Sequence, residues 1–230
     1  MAKNQATYKL NQPVDPTSQA RDPESFGFVL SLIFGVILLA AAMVVAYGQV
    51  FRGSSDQVFY FFNNGPDNLK LAGLIITEAL GAAYPIAACV IIPLLFKKFY
   101  LSWRFFLTTA GAFVLAEIIK QIISEQRPVK LLHGQLHQRA IETGPGFPSG
   151  HVAAATALAL TLWLILPWKW RWVSILWIVL VATSRLYLGV HMPADVIGGF
   201  ACGLVAVGIV GVLPKFLAKF LRLENEKIGR

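Results

Sequence analysis

Six apolar runs, residues 26–47, 71–96, 103–123, 151–166, 172–188 and 193–213, constrain the fold of this chain more than any other feature. A hydrocarbon core takes about 20 helical residues to cross. The fourth and fifth runs are short of that, so their ends are expected to be covered by protein rather than lipid. Only helices and closed barrels satisfy backbone polar groups in lipid, and runs this continuous lack the alternation of barrel strands. The expectation is an all-α fold: one six-transmembrane-helix domain over residues 26–216, a flexible polar tail over residues 1–25 and a basic tail over residues 217–230. No internal repeat and no second soluble domain is evident.

Composition supports the bilayer as solvent. Hydrophobic residues make up 56% of the chain and charged residues 14%, against roughly 25% charged in a soluble domain. Mean hydropathy is +0.62. The net charge of +8 does not point to nucleic acid, because the cations are scattered at the ends of apolar runs, where they orient a membrane protein. Cys89 and Cys202 lie inside apolar segments and read as small hydrophobes. The four histidines lack zinc-type spacing and no cysteine cluster accompanies them, so a structural metal is not expected. The first 25 residues contain no apolar core of a cleavable signal peptide.

Orientation follows from the cations. With the N-terminus in the cytoplasm and one crossing per run, thirteen of the twenty lysines and arginines fall inside; Arg52, Lys70, Lys120, Arg127, Lys130, Arg139 and Arg185 remain outside. Positive residues favour the inside, which predicts a multi-pass protein of the cell membrane with both termini cytoplasmic. The polar residues of greatest interest then gather on the extracytoplasmic face.

Three stretches carry the chemistry. In "KQIISEQRPVK", Lys120 and Arg127 are separated by close to two helical turns, so a continuing helix would put them on one side; Pro128 then ends that helix. Arg185, at the outer end of the fifth run, is a third cation. Three converging cations repel unless an anion lies between them, and arginine forks suit phosphate oxygens. The alternative is that each snorkels separately to a headgroup. In "GFPSGHVAAA", Pro148 precedes a helix, Ser149 is a candidate N-cap and Gly150 leaves its amide accessible. Such a helix start favours anions, and His151 lies in its first turn; ordinary capping is the simpler alternative. In "SRLYLGVHMPAD", His191 and Asp195 are four apart. If a helix begins near His191, the carboxylate fixes the imidazole tautomer and leaves the other nitrogen basic, as in a catalytic triad with histidine as nucleophile. A buried pair joining two helix ends is the plainer account.

Together, Lys120 with Arg127-Pro128, Pro148-Ser149-Gly150-His151, and Ser184-Arg185 with His191 and Asp195 resemble the three signature motifs of the type 2 phosphatidic acid phosphatase superfamily, in the right order. Six spans point to its integral-membrane lipid phosphatases rather than to its soluble acid phosphatases or haloperoxidases. The resemblance implies that His191 attacks phosphorus to form a phosphohistidine, that Asp195 orients it, and that His151 protonates the leaving oxygen and then activates water. It implies that Lys120, Arg127, Ser149, Gly150 and Arg185 hold the phosphoryl oxygens, and that neither a metal nor another cofactor is needed.

Other polar residues receive plainer expectations. Glu117 is one turn before Lys120 and either orients it or forms a structural ion pair. Glu78 is expected to hydrogen-bond a neighbouring helix, with contact to substrate as the alternative. His133, His137, Arg139 and Glu142 are expected to be solvated loop residues, with headgroup reading as the alternative, and Lys130 a surface cation, with a second phosphate as its alternative. "LPWKWRW" reads as an interfacial aromatic belt.

The function expected is a membrane phosphatase acting on a lipid phosphomonoester or diphosphate, of polyprenyl diphosphate, phosphatidylglycerophosphate, phosphatidic acid or lipid A type. Its partners are that substrate and membrane lipids, with no obligatory protein partner. A phosphotransferase using the same histidine is the enzyme alternative. A transporter capturing anions without turnover is the other class, and it usually carries repeats or broken helices in corresponding halves.

Overall fold

The computed structural model describes residues 23–48, 52–81, 83–133 and 135–228. Of the tail assigned to residues 1–25, residues 1–22 lie outside the described residues, and Pro23 already opens a helix. The elements in chain order are α1 (Pro23–Gly48), α2 (Arg52–Asn63), α3 (Lys70–Gly81), α4 (Ala83–Leu95), α5 (Phe99–Ile123), α6 (Pro128–Leu131), α7 (Gly150–Ile165), α8 (Trp172–Tyr187) and α9 (Pro193–Ile228). Short 3-10 turns cover Asp67–Leu69 and Trp168–Trp170, and no strand occurs among the described residues.

Among the described residues, four stretches are long and apolar enough to cross a membrane: Phe26–Gly48, Asp67–Leu95, Phe99–Leu131 and Pro193–Pro214. Their outward faces are apolar, as in Ile33, Phe34 and Ile37 of α1, all more than half exposed. Helices α7 and α8 have 16 residues each, about 24 Å at 1.5 Å per residue, less than a full hydrocarbon core. The interior of α7 explains how a short helix is accommodated. Val152 through Ala159 are all buried, enclosed by α5, α8 and α9, so protein replaces lipid around it.

Close approach of small residues builds this centre. On α9, a Cβ at Gly199 would stand 2.4 Å from the Ser149 carbonyl, and one at Gly203 2.5 Å from Thr156 Cβ. Glycine at both positions lets α9 lie directly on α7, the kind of backbone approach that drives helix association in lipid. Some polar atoms in the core pair across helices: Thr108 of α5 and Thr161 of α7 have Oγ1 atoms 3.0 Å apart, and Trp177 of α8 donates to the Leu80 carbonyl near the end of α3.

Three boundaries differ from the sequence expectation. Helix α5 stops at Ile123, where Ser124 adopts a left-handed conformation (φ 50°) and its amide bonds the Lys120 carbonyl. Arg127 therefore lies on an extended segment, not on a continuation of α5. Pro128 starts α6 at its first position, where the missing N–H costs no hydrogen bond. Helix α9 continues through Pro214 to Ile228, past the end of the sixth apolar run. Helix α2, between the first and second runs, was not legible as an apolar crossing; it buries Phe59 and Asn63.

The loop from residue 132 to residue 149 is anchored by Arg139, which overturns the expectation that this residue is solvated. Its guanidinium is buried and donates to the carbonyls of Asn63 (2.6 Å), Tyr187 (3.0 Å) and Gly65 (2.6 Å) and to Asp67 Oδ1. It also stacks over the Tyr187 ring at 4.3 Å. Asn63 completes the clamp, donating to the His137 carbonyl and accepting the His137 amide.

Candidate active site

The C-terminal ends of α5 and α8 and the N-terminal starts of α7 and α9 meet at one end of the bundle. The long loop before α7 closes over them. All eight sequence-predicted site residues are found at this end.

His191 follows the turn after α8, where Gly189 takes a positive φ of 74° and a Cβ would come 2.8 Å from the His137 carbonyl. Its Nδ1 lies 3.2 Å from Asp195 Oδ2. That same oxygen accepts the Met192 amide at 2.8 Å, as an acidic residue in the first helical turn does in a capping box. Since Oδ2 serves as an acceptor, Nδ1 carries the proton and Nε2 is left basic. Burial, reinforced by the positive charges of Arg185 and Arg127, holds the His191 imidazole well below its ordinary value, so the ring is neutral at neutral pH.

Arg185, 1% exposed, projects from the last turn of α8. One terminal nitrogen donates to Thr77 Oγ1 of α3 at 3.0 Å, and the other pairs with Glu142 Oε1. Arg127 donates to the carbonyls of Gly144, Val190 and Thr143 and pairs with Glu142 Oε2 at 2.9 Å. Two of these contacts, to Gly144 and Thr143, hold the loop, a third ties Arg127 to Val190 just before His191, and the ion pair with Glu142 faces the site. Glu142 thus bridges both arginines, and its Oε2 stands 3.9 Å from His191 Nε2. Burial alone would raise its carboxyl, but Arg185 and Arg127 outweigh that and hold it below its ordinary value.

At the start of α7, Ser149 occupies the N-cap position in extended conformation, yet its side chain makes no capping bond. Its hydroxyl is buried and without a hydrogen-bond partner among the described residues, as is Arg185 Nε. Such donors normally have partners, so this pair suits an anionic ligand. The Ser149 amide donates to the Asp195 carbonyl at 2.9 Å, which joins the second motif to the third. Lys120 Nζ lies 3.6 Å from where a Gly150 Cβ would stand and is paired with Glu117 at 2.6 Å. His151, in the first turn of α7, is close enough for its charge to act on His191.

Two residues escaped the sequence reading. Glu142, expected in solvent, is at the centre of the cation cluster. Thr77 makes the inter-helix contact that had been expected of Glu78, which is exposed. The available signal for Glu142 was a carboxylate in the short segment immediately before the helix start, on the face where the cations converge.

The chain has relatives among known proteins. The family model for the PAP2 superfamily matches residues 101–217, just over half of the chain. The chain belongs to the PAP2 superfamily. With that membership come a phosphoric-ester hydrolase activity and a membrane setting. An undecaprenyl-diphosphatase from Sulfolobus acidocaldarius is 28% identical over 177 residues, which span 76% of this chain and 85% of that protein. The crystal structure of Aquifex aeolicus LpxE superposes with a TM-score of 0.62 at 25% identity, covering 68% of this chain and 93% of its own. The structure of a transmembrane PAP2 type phosphatidylglycerolphosphate phosphatase from Bacillus subtilis superposes with a TM-score of 0.64 at 24% identity, covering 83% of this chain and 96% of its own; that likeness is one of fold. Membership in this family and these relatives make the chain a lipid phosphatase.

Proposed function

We propose that this PAP2 protein crosses the membrane six times with both termini in the cytoplasm. It hydrolyses a lipid diphosphate or phosphomonoester at the extracytoplasmic interface, through a phosphohistidine on His191. The observation that carries the chemistry is the placement of His191 Nε2 beside two arginines that already grip an anionic group, the Glu142 carboxylate. A phosphoryl group on the same arginines would lie next to the basic nitrogen.

In the first step Nε2 forms a bond to phosphorus while the bond to the leaving oxygen breaks, and His151 supplies the proton that oxygen needs. Asp195 accepts the hydrogen bond from Nδ1–H throughout and stabilises the cationic ring that develops. In the second step His151 takes a proton from water, the water oxygen bonds to phosphorus, and the bond to Nε2 breaks, releasing phosphate. Arg127, Arg185, Lys120, the Ser149 hydroxyl and the Gly150 amide hold the phosphoryl oxygens, which is where phosphoryl transfer draws most of its stabilisation. The undecaprenyl-diphosphatase relative and the outward site favour a polyprenyl diphosphate among the candidate substrates. The outward assignment rests on the distribution of cations, with Lys98, Lys169 and Arg171 at the opposite helix ends.

Phosphate release by the detergent-purified chain from a panel of lipid phosphates, with chelator present and His191→Ala in parallel, tests this. Release that survives chelation and disappears in the variant is the expected result. Unchanged release from His191→Ala would overturn the phosphohistidine.

A further inference from the structure

The Glu142 carboxylate occupies the position that the proposed chemistry reserves for the phosphoryl group. It engages one nitrogen of Arg127 and one of Arg185 at once and approaches His191 Nε2. Substrate therefore cannot reach both arginines until the carboxylate has left them. The surrounding backbone does not have to move for this. Thr143 and Gly144 are tied to Arg127 through their carbonyls, so the exchange needs only the Glu142 side chain to rotate. Glu142 also lines a cavity of about 400 Å³ whose other charged and polar neighbours include Ser124, Glu125, Gln126, Arg127 and Lys130, and Lys130 is the cation there that can receive the carboxylate once it leaves the arginine pair.

Charge decides which ligands can drive that exchange. A phosphodiester headgroup, the commonest anionic group in a bilayer, has one negative charge, as the carboxylate does. Substituting one for the other adds no charge to the arginine pair, while the released carboxylate loses two charge-assisted bonds. A terminal phosphoryl group has a charge near −2 at neutral pH and brings three oxygens, enough for both arginines with one left for the unpartnered Ser149 hydroxyl or Arg185 Nε. From this we infer that Glu142 is a specificity-determining residue, a displaceable internal anion that reserves the arginine pair for terminal phosphoryl groups and screens it from surrounding phosphodiester lipids. The inference rests on reading the arginine pair as the phosphoryl site.

Binding and turnover separate the two ideas experimentally. Inorganic phosphate affinity is measured by titration calorimetry on the full-length protein in nanodiscs of zwitterionic lipid, for the wild type and for Glu142→Gln. If the carboxylate occupies the pair nine-tenths of the time, the apparent Kd falls about tenfold in the variant. Hydrolysis is then followed as phosphatidylglycerol is added to mixed micelles, at fixed mole fraction of substrate. The apparent KM of Glu142→Gln is expected to rise with phosphatidylglycerol, and that of the wild type to stay flat. An unchanged or weaker phosphate Kd in the variant, or equal sensitivity of both proteins to phosphatidylglycerol, overturns the inference. If Glu142→Gln does not fold, Glu142→Asp reads the same Kd, since its shorter carboxylate reaches the two arginines less well. Failure of the wild type to hydrolyse any lipid phosphate would remove the hydrolase reading, while the phosphate titrations would still decide whether Glu142 competes for the arginines.

Discussion

Replacing Arg139 by alanine is the most informative test of how the loop carrying Glu142 is held. The guanidinium donates to three backbone carbonyls, those of Asn63, Gly65 and Tyr187. Tyr187 keeps a second donor, Asn63 Nδ2 at 3.2 Å, so truncation deprives the carbonyls of Asn63 and Gly65 of the Arg139 donor. Each buried acceptor left without its charged donor costs about 1–3 kcal/mol, and the stacking on Tyr187 is worth a further ~0.5–1 kcal/mol. The sum is about 2.5–7 kcal/mol. Asp67, the ionic partner of Arg139, is 77% exposed, and an exposed partner contributes only about 0–1 kcal/mol. Arg139→Ala should thus be far more damaging than Asp67→Asn, although both remove the same ion pair. Reversible denaturation in mixed micelles, followed by tryptophan fluorescence, measures both. Equal losses in the two variants, or a loss under 1 kcal/mol in Arg139→Ala, would refute the claim that buried carbonyl contacts, rather than the ion pair, anchor the loop.

Three further outcomes follow from the same geometry. Asp195→Asn lowers kcat by about 10³–10⁴-fold with inorganic phosphate affinity nearly unchanged, since the carboxylate orients His191 without touching substrate; steady-state rates and phosphate titration check both parts. The acidic limb of kcat/KM lies below the ordinary histidine range, because burial, Arg185 and Arg127 keep His191 neutral. In stability the sign is that of a depressed pKa: the contribution is complete above the unfolded value near 6.5 and is lost as pH falls toward the lowered folded value, so wild type loses stability there relative to His191→Gln. Gly199→Ala drives a Cβ into the Ser149 carbonyl and costs about 1–3 kcal/mol with a matching loss of activity, whereas Gly27→Ala, with open space around it, raises helix stability by about 0.5–1 kcal/mol. Thermal denaturation of the two variants distinguishes them.

The sequence by itself determined the helical class and the membrane setting, and it named eight residues that the fold brings to one end of the bundle. Apolar runs of this length admit no other backbone solution in lipid, and the three motifs are local patterns whose spacing survives without coordinates. His191 and Asp195 show why that was enough: a pair four residues apart at a helix start meets through local geometry alone. Tertiary structure decided what stands opposite them. Glu142 meets Arg185 across 43 residues, Thr77 meets Arg185 across 108, and Asn63 meets His137 across 74. No periodicity encodes such contacts. A loop carboxylate reads as solvated until the chain closes over it, and whether it is solvent-exposed or held between two buried arginines depends on the packing of α3, α8 and the loop before α7.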